Sequence, residues 1–334
     1  MANIGIFGQS LSQALARNNA LSTFKQCFAA AGDPANVTSY CLDGSAVLKE
    51  HAPSTDLTRY WVDRDASGNW VDGPCLLTAA GVVAAAPAAH KPIDRVILMI
   101  GESSSVMPVL SIDVAAFKGA YRYLVSRLKA ICSPSSPNSV GFMVQPVGRR
   151  LASAEVPGVQ VVREAQLDLV ADPLDGFVFG VDVYDLPLWG DRAGYGKTGD
   201  SHPDTLGDSI LGWRAAQRVL MSKNHFHQLA PRVVSVYRYP DRVTLRISTS
   251  GGAALSQKPA VPRYFSAGPA GAPMAQLSGA GSTWTGDYLS LVVPGVAAGW
   301  KLMYPFGDLR EIDRSALIAD ENGSPLQSFV VTLT

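Results

Sequence analysis

In Arg95-Val-Ile-Leu-Met-Ile100 the arginine is followed by an unbroken apolar run that stops at Gly101. A strand with one wet face alternates apolar and polar side chains. A run without polar positions needs cover on both faces, as in a parallel sheet between helical layers. The neighbouring chain supplies matching parts. Asn3-Ile-Gly-Ile-Phe7 predicts a first short strand, then Gly8 and a helix over residues 10–18. A helix over 112–131, a strand at 140–144, a helix opening near Pro157 and a strand at 177–179 are expected next. A last helix over 206–221 sets Leu206, Ile210, Trp213, Ala216 and Leu220 at helical spacing, predicting that face as its buried one. Strand–helix alternation of this kind predicts a three-layer α/β/α domain with a mainly parallel sheet over residues 1–230.

After Pro231 the texture changes. Residues 233–239 and 243–248 alternate in the manner of strands and are separated by Pro240-Asp241, a hairpin signal. A stretch rich in Gly, Ala, Pro and Ser covers 266–286, and short β-like runs continue to Thr334. No helical period appears there, so 231–334 is expected to be a small all-β, β-sandwich-like accessory domain.

The chain carries 28 Lys+Arg and 28 Asp+Glu, so its formal charge of zero gives no drive toward nucleic acid or anionic lipid. With 47% hydrophobic and 17% charged residues, a packed core is expected rather than disorder. The most apolar stretch, 76–89, falls short of the ~20 residues of a spanning helix and is interrupted by Pro87, so no membrane segment is expected. The opening Met-Ala-Asn-Ile-Gly-Ile-Phe-Gly has neither a basic n-region nor a cleavage site, so no secretory signal is read. Cys27, Cys41, Cys75 and Cys132 lie far apart with no Cys-x-x-Cys pair, which indicates neither a zinc site nor a redox motif. They read as buried or half-buried thiols, with a Cys27–Cys41 bridge left open.

Gly194-Tyr-Gly196-Lys-Thr-Gly199 matches G-x-G-x-x-G, yet it follows a Pro- and Trp-containing loop, and Asp191 stands where a P-loop needs its first glycine. It reads as a loop. His225-Phe-His227 has no further ligand-type residues around it and reads as a solvated helix end. Gly8-Gln9-Ser10 is more informative, because it lies where the first strand turns into a helix. A serine there offers its own N–H, at the positive helix end, to a developing oxyanion. Ser is also simply a favoured N-cap. The partner that raises the functional reading is Asp200-Ser-His202-Pro203, directly before the last helix. A serine nucleophile needs a base, and the imidazole needs an acceptor that fixes its tautomer. In a doubly wound sheet both segments open at the carboxyl edge of the strands, which makes them candidates for one site.

These segments, with a Gly-Glu-Ser after the central strand, resemble the SGNH (GDSL-like) hydrolase superfamily. The similarity is greatest to its sialate O-acetylesterase and carbohydrate acetyl-esterase branch, which includes versions carried by bacteriophages. Asp43-Gly44-Ser45-Ala46 resembles the family's second block. So do, for other stretches of that branch, Tyr60-Trp61 through Gly73-Pro74-Cys-Leu-Leu-Thr78, Gln145-Pro-Val-Gly-Arg149-Arg150 and Arg163-Glu-Ala-Gln-Leu167. Leu302-Met-Tyr-Pro-Phe-Gly307 and Asn322-Gly-Ser-Pro-Leu-Gln-Ser-Phe329 resemble its β appendage. The resemblance implies a flavodoxin-like α/β fold, Ser10, Asp200 and His202 as catalytic residues, and the N–H groups of Ser10 and Gly44 as the oxyanion hole. Gln9, Ser45 and Glu102 are further candidates for lining the site. Two departures stand out. Ile100 takes the place of a side-chain amide donor, and Gly199 takes the acid position of an Asp-x-x-His spacing, leaving Asp200 to orient His202.

The reading is a serine esterase that removes O-acetyl groups from a surface or capsular carbohydrate without a cofactor or metal. The competing reading is a non-catalytic carbohydrate-binding or virion protein that keeps the scaffold. Trp61, Trp70 and Trp189 either stack on a sugar or pack beneath their loops. Partners beyond an acetylated carbohydrate would be phage-like particle proteins or further copies of the chain, not nucleic acid or membrane. The location is either such a particle or the cytoplasm.

Overall fold

Five parallel strands form the sheet to which the run at 95–100 belongs. The computed structural model describes residues 1–334 apart from 17, 149–155, 173–175, 189–201, 222–229, 250–253, 273, 307–308, 310–311 and 322. The chain divides into two compact units, Met1–Leu220 and Met221–Thr334. In order, the first contains β1 (Ala2–Gly8), α1 (Ser10–Ala16), α2 (Asn18–Ala30), β2 (Ala35–Cys41), β3 (Ala46–Leu48), β4 (Tyr60–Arg64), β5 (Trp70–Asp72) and α3 (Pro74–Ala85). It continues with β6 (Arg95–Met99), α4 (Glu102–Ser105), α5 (Val114–Cys132), β7 (Gly141–Val144), α6 (Val156–Ala171), β8 (Val178–Phe179) and α7 (Thr205–Met221).

The sheet order is β2-β1-β6-β7-β8, and every neighbouring pair is parallel. The chain therefore reverses its direction of travel across the sheet between β1 and β6. That switch point opens a crevice at the strands' carboxyl ends. The apolar run at β6 is explained residue by residue. Val96, Leu98 and Ile100 join one core layer with α3, α5 and α6, whereas Ile97 and Met99 join the opposite layer with α1, α2 and α7. The period of two thus serves two cores at once.

One expectation holds only in part. On α7, Ala216 and Leu220 are buried and Ile210 packs half-buried against the same layer, but Leu206 is 59% and Trp213 36% exposed, and Leu211, Ala215 and Val219 complete the buried face. The reason is glycine. A methyl group at Gly212 would land on the Ala20 carbonyl oxygen of α2, and one at Gly207 on that of Pro187. The helix packs through its two bare positions, a close backbone approach that apolar periodicity does not register. The three-stranded sheet β3-β4-β5 and the helix α2 also went unread in the sequence. The three strands are only three to five residues long.

Among the described residues no helix is long and apolar enough to cross a membrane; much of the apolar stretch at 76–89 is α3. None of the four cysteines is in a disulfide. Cys75 and Cys132 are buried, which pushes their thiols up to about 11 and about 12.

The second unit holds β9 (Arg232–Arg238), β10 (Arg242–Ser248), β11 (Leu255–Gln257), β12 (Ser266–Pro269), β13 (Ala275–Gln276), β14 (Thr283–Thr285), β15 (Tyr288–Val292), β16 (Trp300–Tyr304), β17 (Ala319–Asp320) and β18 (Phe329–Thr332). They form two four-stranded antiparallel sheets, β14-β15-β10-β9 and β13-β12-β16-β18, and the pair β11-β17. The β9–β10 hairpin turns at Pro240-Asp241.

Candidate functional site

Gly8 ends β1 with φ 138, a backbone conformation that side chains rarely tolerate. This lets the chain turn sharply from strand to helix, so that Ser10 opens α1 at the mouth of the switch-point crevice. Two bonds fix the turn against β6: Gln9 N–H donates to the Met99 carbonyl at 2.9 Å, and the Ser12 hydroxyl reaches both Phe7 O (2.8 Å) and Met99 O (2.9 Å). Ser10 itself is half-buried, and its hydroxyl makes no hydrogen bond to a described residue.

His202 comes to the same place by another route. Its neighbour Pro203 forms an isolated β-bridge with Leu188, and Asp204 N–H donates to Pro187 O at 2.9 Å. Asp204 then caps α7, its carboxylate accepting from Gly207 N–H at 2.9 Å. The Pro187–Leu188 segment is held in turn by the buried ion pair of Asp185 with Arg214 (2.7 Å). Ser10 and His202 accordingly line one cleft with Leu11, Glu102, Val147 and Gly148.

The floor of the cleft at Val147–Gly148 is tied down by α6. Arg163, fully buried, donates to Val147 O (2.8 Å) and Gly148 O (2.8 Å), and Gln166 accepts from Val147 N–H (2.8 Å) while donating to Ile100 O (2.7 Å). Desolvation lowers Arg163 to about 10.

The other expected residues divide. Glu102 is buried and lines the cleft. Gly44 sits half-buried in the turn Leu42–Ser45 with φ 68, linked to Gln9, the residue before Ser10, through the Ser103 hydroxyl. Gln9 and Ser45, expected as lining, are instead fully buried behind the surface. The Gln9 amide bridges Gly101 N–H and Ser103, and the Ser45 hydroxyl accepts from Trp61 Nε1 at 3.0 Å. Trp61 is a core residue and Trp70 lies against Arg64, its ring 4.2 Å from the guanidinium, so both pack rather than present a stacking face. Asp200, Trp189, the Gly194–Gly199 motif and His225/His227 lie outside the described residues. Among the described residues no group of three His, Cys, Asp or Glu side chains could hold a metal.

Ile100 is 1% exposed, sits in the core layer of α3, α5 and α6, and does not line the cleft. An amide placed there would be buried in apolar surroundings. Ile100→Gln is therefore expected to lower stability by about 2–4 kcal/mol without raising turnover. Urea denaturation and ester turnover of the variant check this.

Sequence reasoning missed Asp208, one turn into α7. It is 9% exposed, and its Oδ1 has no hydrogen-bond partner. Burial, then the charge of Asp204, raises it from 3.8 to about 6, with His202 opposing. The folded state thus holds this proton more tightly than the unfolded chain. Its contribution is fully present below about pH 4 and is lost as pH rises through about 6. Asp208→Asn should then stabilise the protein at about pH 7.5 by on the order of 2 kcal/mol, and hardly at all near pH 3.5. Chemical denaturation at the two pH values gives the answer. The available signal was an acidic residue four positions after a capping Asp, which is too common to single out.

The sequence matches no protein-family model and no curated protein. Among solved structures, it is similar to a carbohydrate acetylesterase from Xanthomonas citri, at 14% identity and a TM-score of 0.59, over 93% of this chain. The chain spans 64% of the length of that protein. A member of the lipolytic protein G-D-S-L family from Veillonella parvula follows at 14% identity and TM-score 0.41, covering 64% of this chain and 96% of its own. A lipase from a goat rumen metagenome has 10% identity and TM-score 0.40, covering 65% and 98%. By sheet order, layers and this likeness, the chain has the three-layer α/β/α fold of the SGNH, or GDSL-like, hydrolases, joined in sequence to a C-terminal all-β unit.

Proposed function

We propose that the protein is a serine esterase that removes O-acetyl groups from a carbohydrate. The observation that carries this reading is that Ser10 and His202, far apart in the sequence, line one cleft at the switch point of the sheet. The likeness to an acetylesterase supports the substrate class.

In this reading the Ser10 hydroxyl attacks the acetyl carbonyl while His202 takes its proton. The N–H groups of Ser10 and Gly44 receive the charge that builds on the carbonyl oxygen. Collapse breaks the bond to the sugar oxygen, which leaves as the hydroxyl with the proton from His202. Water, deprotonated by the same imidazole, then releases acetate from Ser10. Asp200 orients His202 and balances its positive charge. Leu11, Val147, Val183 and Leu188 line the cleft with Ser10 and would give an acyl methyl an apolar surface.

The test is a time course of acetate release from acetylated xylan, acetylated sialosides and 4-nitrophenyl acetate, with 4-nitrophenyl octanoate alongside. Acetate release from a glycan with poor octanoate turnover supports the reading. Turnover of octanoate over every acetyl ester would replace it with a lipase-type specificity.

A further inference from the structure

The turn that presents Gly44 is fixed from both sides. Its end is closed by Ser45 N–H donating to Leu42 O at 3.2 Å. On one side the Arg59 guanidinium donates to Asp43 O at 3.0 Å. A trans peptide sets its N–H opposite its carbonyl, so Arg59 on the Asp43 carbonyl turns the Gly44 N–H the other way. That N–H makes no hydrogen bond to a described residue. On the other side the Ser103 hydroxyl donates to Gly44 O at 3.1 Å.

The direction of that last bond is dictated by its neighbours. Gly101 N–H can only donate, so the Gln9 side-chain oxygen must be the atom facing it, at 2.8 Å. The Gln9 nitrogen then donates to Ser103 Oγ at 2.6 Å, which leaves the single hydroxyl proton for Gly44 O. Three bonds pointing the same way run from the end of β6 through the residue before Ser10 to the Gly44 turn. Each polarises the next.

We infer that Ser103 is a positioning residue for the esterase reaction proposed above: it holds the Gly44 turn at a fixed distance from Ser10, so that both oxyanion N–H groups converge. The inference rests on that reading of the site. Ser103 makes no hydrogen bond to Ser10 or His202. It acts by setting where the second N–H stands, and misplacement of such a donor slows the chemical step more than it weakens substrate binding.

The experiment compares wild type, Ser103→Ala and Ser103→Thr on 4-nitrophenyl acetate, with thermal unfolding of each. Ser103→Ala is expected to lower kcat by roughly 10–100-fold, with KM within about twofold of wild type and a Tm lowered by only a few degrees through the unpaired Gln9 amide. Ser103→Thr, which keeps the hydroxyl, should recover most of kcat. The rate at which a fluorophosphonate labels Ser10 should fall in step with kcat, because it builds the same oxyanion. A Ser103→Ala enzyme with wild-type kcat overturns the inference and leaves the esterase reading intact. So does a loss that appears only as raised KM or lowered Tm. A wild type that neither hydrolyses the ester nor takes up the phosphonate overturns the esterase reading, and the inference with it.

Discussion

Ser10→Ala and His202→Ala should each cut ester turnover by about 10⁴-fold or more while leaving the fold in place. A nucleophile and its base work as one unit, so either loss removes nearly the whole covalent pathway, and combining the two substitutions should add little. The fold should survive for local reasons. The Ser10 hydroxyl makes no hydrogen bond to a described residue, and the turn before it is held by Gln9 N–H and the Ser12 hydroxyl. The His202 segment is anchored by the Leu188–Pro203 bridge and the Asp204 cap, neither of which involves the imidazole. Acetate release and thermal unfolding of the two variants measure the prediction. Turnover within tenfold of wild type for Ser10→Ala would rule out the serine mechanism.

What was legible in the sequence follows a physical dividing line. Strands that serve two cores at once, β1, β6 and β7, carry runs of apolar residues that no exposed segment would carry, and they were readable. Helix α7 was readable as a helix, and its buried face only in part, through Ile210, Ala216 and Leu220. Its contact face is set by Gly207 and Gly212 against the backbone of Pro187 and Ala20, and a missing side chain leaves no mark in an apolar period. At the candidate site, Ser10 and His202 were singled out in the sequence because each stands beside the start of a helix, and the structure brings the two into one cleft. Gln9 and Ser45 were read in the sequence as candidates for lining the site, yet both are fully buried. Their real partners, Ser103, Gly101 and Trp61, come from segments remote in sequence. Buried polar groups must find a partner, yet which partner is a property of the fold rather than of local order. The same holds for Asp208, whose raised carboxyl depends on burial beside Asp204 and opposite His202.

Gly8→Ala is expected to be the most damaging single methyl in the first unit, with a loss on the order of 4 kcal/mol or more. At φ 138 an alanine is strained before any neighbour is considered. Its Cβ would also land on the Met99 carbonyl oxygen and lie 2.5 Å from Ser12 Oγ. That carbonyl already accepts from Gln9 N–H and from the Ser12 hydroxyl, so relief requires moving the end of β1 away from β6. Separating them opens both core layers, since Phe7 faces one and Ile6 the other. Ser10 would be displaced along with the strand. A control with the same chemical change isolates the cause: Gly81 lies exposed in α3 with nothing within 4 Å of an added Cβ. Gly81→Ala should stabilise the protein by about 0.5–1 kcal/mol, because alanine loses less backbone entropy in a helix. Denaturation of the two variants side by side should thus give opposite signs. A Gly8→Ala protein as stable as wild type would mean that the β1–α1 turn does not hold Ser10 through the contacts described.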